Sequence, residues 1–426
     1  MSKKIIGVTV GTPIKPTVLK DKLNAITSSA SGEGIVLSDS ADAKLKSLKL
    51  YGKTTQNGTP SPEAPVELMS AGDDGTIDVS VYGKNLFNEA IMLNADGWKY
   101  ENGFYTGDNI KLRTFFKNNP LNIFRPNTRY YFSFWGYSAE ASKNSRICIG
   151  YTDGTFFDIT GARNTDLTFC EYVTDERKSV SHIMIDYGDY ATIYLRDFMI
   201  CESQSATDYE PYKASQTLTV STPNGLAGIP VASDGNYIDS NGQQWVCDEV
   251  DFARGVYVQR VKEIVLDGSD DEDWNDGVTG NAPYGISVNR YSSAIADCTN
   301  TDTRIMCDRY PTATINESWE AREYLVSRPG ATNERLCFRN TAISSLAEWK
   351  ADIATNPITV CYVLATPIET HLSYEQLLAY VALHTNYPNT TILNDDGAGM
   401  DVAYVADLKN YIDNRIASLS AAIVNS

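Results

Sequence analysis

Between Arg129 and Ile200 the chain breaks into five short runs, RYYFSFWGY (129–137), SRICIGYT (145–152), TFCEYVT (168–174), SHIMIDY (181–187) and ATIYLRDFMI (191–200), divided by segments rich in Gly, Asn and Asp. Apolar and polar residues alternate within them, which sends successive side chains to opposite faces of a strand. Runs of this length at near-regular spacing predict antiparallel sheets stacked face to face, as a sandwich or jelly roll. Twenty-six tyrosines beside 13 phenylalanines and 6 tryptophans fit the same class, since amphipathic rings cover sheet surfaces while leaving a polar edge.

The chain is long for a single core at 426 residues, so several domains are expected. A formal net charge of −18 repels a phosphate backbone, and no basic patch offsets it, which argues against nucleic-acid binding. There is no run of eighteen apolar residues and no leader with a small-residue cleavage site, so neither membrane insertion nor secretion is expected, and synthesis is expected in a cytoplasm. The eight cysteines are scattered, with no C-x-x-C and no histidine near the closest pair, Cys298 and Cys307; buried reduced thiols are expected rather than a metal site.

Composition shifts divide the chain into five expected parts. Residues 1–47 read as an attachment segment and linker, with a strand at Ile5 to Val10, a helix over Thr17 to Ile26 and a flexible Ser/Gly/Ala connector, TSSASGEGI, after it. Residues 48–83 read as a β connector, 84–213 as the sandwich or jelly roll, and 214–394 as a second β-rich domain. In that domain Leu346 to Ala354 has helical spacing, and Asn356-Pro357 stops it ahead of a strand. Residues 395–426 read as a C-terminal amphipathic helix, on which Val405, Leu408, Ile412, Ile416, Leu419 and Ile423 trace one apolar stripe at three- and four-residue steps. An isolated helix of this length is marginal in water, so the stripe must bury against this chain, another partner or copies of itself. The fold class expected is therefore mostly β: tandem antiparallel β-sandwich or jelly-roll modules with a C-terminal amphipathic helix.

Two segments carry a resemblance. The first comprises Gly52, Thr54, Gln56, Gly58 to Pro65, and then Gly83-Lys84-Asn85-Leu86-Phe87; the second comprises Met199, Glu202, Ser205 to Thr207 and Tyr209-Glu210-Pro211-Tyr212. Together they resemble modules of tail and minor structural proteins, of receptor-binding or baseplate type, from phages that infect Gram-positive bacteria. In those proteins the second segment closes a jelly roll similar to carbohydrate-binding modules. Ser233 to Val261 and Ser345 to Leu372 resemble further segments of the same proteins. Pro211, unable to donate to a ladder, is expected to end the last strand.

The resemblance implies a virion structural protein of a tail tip, fibre or baseplate, made in the bacterial host cytoplasm, that contributes to recognition of host cell-surface glycan. A purely architectural adaptor and a glycan-cleaving tail enzyme are the alternatives. It also implies contacts with other tail proteins through the N-terminal segment, and a homotrimer assembled on the C-terminal stripe. Host cell-wall polysaccharide is the candidate ligand.

Residue chemistry points to binding rather than catalysis. His182, His371 and His384 stand in no catalytic frame; His182 is expected at a surface or strand edge and the other two near helix ends. The chain holds 54 acidic residues, so paired carboxylates arise everywhere and single out no glycosidase centre. The loop Leu266 to Gly277 misses the calcium-hand spacing and reads as a solvated acidic turn, and Asp73-Asp74-Gly75 and Asp395-Asp396-Gly397 also read as turns. No catalytic residue, cofactor or metal is expected. Glycan contact would need an exposed aromatic platform with polar flanks, and Trp98, Tyr100 and Tyr105 in the Gly-containing stretch ADGWKYENGFYTG are the expected ligand-binding residues. Tyr151 is a further candidate, while Trp135, inside an alternating run, is expected in the core.

Overall fold

The computed structural model of the chain describes residues 26–416 apart from 42–44, 96, 108–111, 117–122, 139–145, 162–163, 189–191, 204–207, 270–273, 277–285, 293, 297–302, 315–323, 329–334, 387–389, 410–411 and 414–415. The expected strand Ile5 to Val10 and all but the last residue of the expected helix Thr17 to Ile26 lie outside the described residues, as do Leu419 and Ile423.

Stretches far apart in sequence build one central sandwich. Its larger sheet runs Ile26–Gly32, Gly399–Ala406, Ser47–Tyr51, Glu249–Asp251, Val256–Leu266, Ile358–His371, Ile305–Cys307. Its smaller sheet runs Gln216–Ser221, Thr76–Tyr82, Thr390–Asn394, Gly34–Leu37. In Thr76–Tyr82 the period of two puts Ile77, Val79 and Val81 on one face, and all three are fully buried. They share a core with Leu48, Leu50, Val250, Met400 and Val402 of the larger sheet.

Two expectations give way here. The Ser/Gly/Ala connector is not a flexible linker: Ile26–Gly32 pairs residue for residue with Gly399–Ala406, from Ile26 opposite Ala406 to Gly32 opposite Met400, and Gly34–Leu37 pairs with Thr390–Asn394. Small side chains do not prevent this, because a ladder is made by backbone groups. Residues 401–406 are strand rather than helix. Met400, Val402, Tyr404 and Ala406 are buried in alternation, and that period of two decides the element. Val405 therefore belongs to a strand, opposite Thr27, and helical residues begin at Leu408.

The expected boundaries at 47/48 and 394/395 cut through this central sheet rather than between units, because Gly399–Ala406 lies between Ile26–Gly32 and Ser47–Tyr51. Residues 214–394 supply strands to the central sandwich and, between Leu266 and Ile358, a third core around Trp349, Phe338, Tyr310 and Trp274. The helix Leu346–Thr355, capped by the Ser345 hydroxyl, plugs that core with Trp349 and Ile353. The long antiparallel pair Val256–Leu266 and Ile358–His371 contributes to both cores. Its register shifts between Gln259 and Val261, where the buried carboxylate of Asp248 accepts the N–H groups of Arg260 (2.7 Å) and Val261 (2.8 Å).

Residues 84–213 form their own two-sheet sandwich. One sheet runs Asn164–Val173, Arg129–Ser138, Ile193–Glu202, Phe104–Gly107, Trp98–Glu101; the other runs Phe156–Gly161, Arg146–Tyr151, Val180–Gly188, Leu112–Phe116. Phe132, Phe134, Phe198 and Ile200 of the first share a core with Ile147, Ile149, Ile183 and Ile185 of the second.

The chain enters and leaves this module side by side. Asn85 is fully buried: its amide donates to the Phe198 carbonyl (3.0 Å), and its oxygen accepts from the N–H groups of Phe87 (2.9 Å) and Ile200 (3.2 Å). Lys84 reaches the Asp208 carbonyl and lies 3.6 Å from the Glu210 carboxylate. The last strand ends at Glu202, before Pro211; the Tyr209 to Tyr212 segment lies along the entry as part of this clasp rather than as a strand terminator.

Candidate functional site

Within the expected platform the structure separates the three residues. Trp98–Glu101 and Phe104–Gly107 form a hairpin around Asn102 and Gly103, both at positive φ (52° and 81°), which is the two-residue Asn-Gly turn. The alternation that follows turns Trp98 into the core, against Gly107, where it is 7% exposed and unavailable to a ligand. Tyr100 is exposed and Tyr105 half-buried, directly opposite each other with ring centroids 4.9 Å apart. Burial, followed by the nearby Glu89 carboxylate, raises the Tyr105 phenol above its usual range. The signal for the hairpin was present in the dipeptide Asn102-Gly103, which reads as loop if only its glycine is weighed.

Trp135 is a second correction. Phe132 and Phe134 take the core face of their strand, so Trp135 points outward and lies beneath the Arg196 guanidinium, 5.2 Å from the ring centroid. His182, expected at a surface or edge, sits half-buried in an interior strand with Nδ1 2.7 Å from Ser181 Oγ.

An aromatic cleft of about 500 Å³ lies where one edge strand of each sheet meets, Phe156–Gly161 from one and Asn164–Val173 from the other. Its floor is the pair Tyr151 and Tyr172, both buried, with hydroxyl bonded to hydroxyl. The Asp175 N–H donates to the Tyr151 oxygen at 3.2 Å, fixing the floor to the loop above it. Burial first, then the neighbouring Tyr151 hydroxyl, pushes the Tyr172 phenol upward. Phe157 packs on Tyr172 with centroids 4.9 Å apart yet remains 52% exposed, and Phe156 beside it is 47% exposed.

The rim is polar. Lys178 lies 5.6 Å from the centre of the Tyr151 ring and donates to Thr155 Oγ1 at 3.0 Å, with Asp153 3.0 Å away. Hydrogen bonds from Thr155, together with the Lys178 ammonium, hold the Asp153 carboxyl down to about 2. Glu171 and Asp175 complete the opening. Exposed ring faces over a fixed phenolic floor, with hydroxyl, ammonium and carboxylate groups around them, suit a ligand that is flat and apolar on one side and hydroxylated at its edges. Tyr151 was visible in the sequence as a candidate; Phe156 and Phe157 were signalled only by two adjacent aromatics after the Asp153-Gly154 turn.

Another cleft, of about 540 Å³, lies in the central sandwich among Glu33, Lys53, Asp73, Asp239, Trp245 and Asp396. Its ammonium is already engaged: Lys53 pairs with Glu33, lies 3.9 Å from Asp239, and stands over the rings of Tyr237 and Trp245. Among the described residues no cluster of His, Cys, Asp and Glu is arranged to hold a metal ion, and no helix is long and apolar enough to cross a membrane. Of the expected oligomerisation residues, Ile412 (46%) and Ile416 (58%) are exposed on helical backbone.

No family model matches the chain, and no curated protein does. Among solved structures the chain is similar to the tripod (BppUct-A-L) from the baseplate of bacteriophage Tuc2009, with 13% sequence identity and a TM-score of 0.22 over 73% of this chain and 99% of that one.

Proposed function

We propose that this chain is a virion structural protein of a phage tail tip, fibre or baseplate, and that its inserted sandwich binds glycan on the surface of a Gram-positive host. The virion half of the reading rests on the sequence resemblance. The residues that carry it, Lys84-Asn85-Leu86-Phe87 and Tyr209 to Tyr212, have a physical task in common, to clasp the two ends of the module. The module's strand order supports the jelly-roll reading, because omitting the extra edge strand Trp98–Glu101 leaves two four-stranded antiparallel sheets with the interleaving of two Greek keys. The observation that carries the glycan half is the exposed Phe156 and Phe157 pair above the Tyr151 and Tyr172 floor.

Fluorescently labelled protein incubated with purified Gram-positive cell walls tests this. Wild type is expected to decorate walls of its host, and Phe157→Ala to lose that binding while keeping its thermal midpoint within a few degrees. A protein that enters tail particles yet decorates no wall is an architectural spacer. Release of reducing ends from the wall would instead make it an enzyme.

A further inference from the structure

The strand Ile193–Glu202 carries a non-glycine residue at positive φ in its middle, Asp197 at 53°. Its register against Arg129–Ser138 slips at the same place: Ser133 faces Met199, but Trp135 faces Arg196. This is a β-bulge, held open from below by buried Asn85 on Phe198 O and Ile200 N–H, and by Glu89 on Phe198 N–H at 3.1 Å. A left-handed, non-glycine backbone kept in place by this many bonds points to something the bulge aims. It aims Arg196. The guanidinium carbon lies 5.0 Å from the Phe104 ring centre and 5.2 Å from that of Trp135, so a planar cation is stacked between two rings on the outer face of the five-stranded sheet.

Beside this stack are two hydroxyls, Ser133 Oγ and Thr106 Oγ1, on residues 2% and 1% exposed that have no hydrogen-bond partner among the described residues. Both sit on the outward side of their strands, since Phe132, Phe134 and Gly107 take the inward positions. Buried hydroxyls without a partner are costly. At this exposure they are as closed to a ligand as Trp98 is, so they belong to the packing under the stack, and the contact groups are the rings and the guanidinium above them. Phe169, 45% exposed, and Glu171, which accepts from the Tyr131 hydroxyl at 2.8 Å, continue the same face to the edge strand. Glu171 is also part of the rim of the aromatic cleft.

We infer that the cleft is one end of a binding track that crosses the outer face of the sheet from Phe157, past Phe169, to the Trp135–Arg196–Phe104 stack. Its ligand is the interior of a polysaccharide chain rather than a terminal sugar. The track spans four strands in the sheet order, roughly 14 Å at about 4.8 Å per strand, beyond the cleft itself. This deepens the glycan reading above and rests on it.

The test titrates the full chain with short and long size-fractionated fragments of wall polysaccharide from cells that the labelled protein decorates. Wild type is expected to bind long fragments at least about tenfold more tightly than short ones. Trp135→Ala and the gentler Arg196→Lys should remove that gain and leave short-fragment binding unchanged, whereas Phe157→Ala should abolish both. Far-ultraviolet circular dichroism of each variant separates a lost contact from a lost fold. Short-fragment binding with no length dependence, or a length dependence untouched by both outer-face variants, overturns the track and leaves the cleft standing. Failure to bind at any length defeats the glycan reading, and the track with it.

Discussion

Gly52 and Gly228 pass each other so closely that a Cβ added to Gly228 would sit 2.1 Å from the Gly52 carbonyl oxygen. A Cβ on Gly52 would in turn meet the Leu226 and Ala227 backbone at 2.4 Å. Neither neighbour is a side chain that can rotate away. Gly228→Ala is expected to lower stability by about 1–3 kcal/mol, measured as an earlier urea midpoint with an unchanged slope. An unshifted midpoint would mean that the crossing relaxes freely.

Asn85→Ala removes three hydrogen bonds at once and leaves the Phe198 carbonyl and Ile200 N–H buried without that partner. A loss of about 3 kcal/mol is expected. Hydrogen exchange should place it in residues 84–213, with faster exchange there and little change in the central sandwich. Uniform acceleration across the chain would show that the module does not open on its own.

Burial pushes the Asp248 carboxyl up to about 6, against the pull of its backbone hydrogen bonds and of the Tyr257 hydroxyl. Its folded value lies above the unfolded one, so its contribution to stability is fully present below about 4 and is lost as pH rises through about 6. Asp396, raised to about 6 by partial burial and then by Asp73, Asp395 and Asp74, acts in the same direction. Asp248→Asn keeps an acceptor for the Arg260 and Val261 N–H groups. Compared with wild type, it should flatten the decline in unfolding free energy between about pH 4 and 7, as read from urea titrations at several pH values. Parallel wild-type and variant curves would contradict this.

Deleting residues 407–426 leaves the strand Gly399–Ala406 intact, whereas deletion from Asp401 would strip a central strand. If the helical residues Leu408, Ile412 and Ile416 take part in joining three copies, the shorter deletion converts a trimeric mass in solution to a monomeric one without moving the thermal midpoint of the β domains. An unchanged mass would remove residues 407–426 from assembly.

What could be read in advance followed period. The runs between Arg129 and Ile200 alternate cleanly, and all became strands. Residues 400–408 were ambiguous because Val405 and Leu408 satisfy a helical step while Met400, Val402, Tyr404 and Ala406 satisfy a strand; only burial on one side distinguishes them. Thr27 to Gly32 lacked an alternating apolar signal, being paired through backbone alone. Trp135 was assigned the wrong face, since a shift of one position reverses a strand's sides. Trp98, by contrast, reads as a loop residue as long as the Asn102-Gly103 turn that makes its segment a hairpin strand goes unweighed. The Arg196 stack was out of reach altogether. It depends on a bulge formed by Asp197 together with Asn85 and Glu89, which lie more than a hundred residues before it.

The pairing of Ile26–Gly32 with Gly399–Ala406 also sets an order of events on the ribosome. Residues 84–213 can complete their sheets soon after they emerge, while Ile26–Gly32 waits for a partner roughly 370 positions later. The frame that holds the modules is thus the last part to set, and until it does an unpaired edge is open to a neighbouring nascent chain.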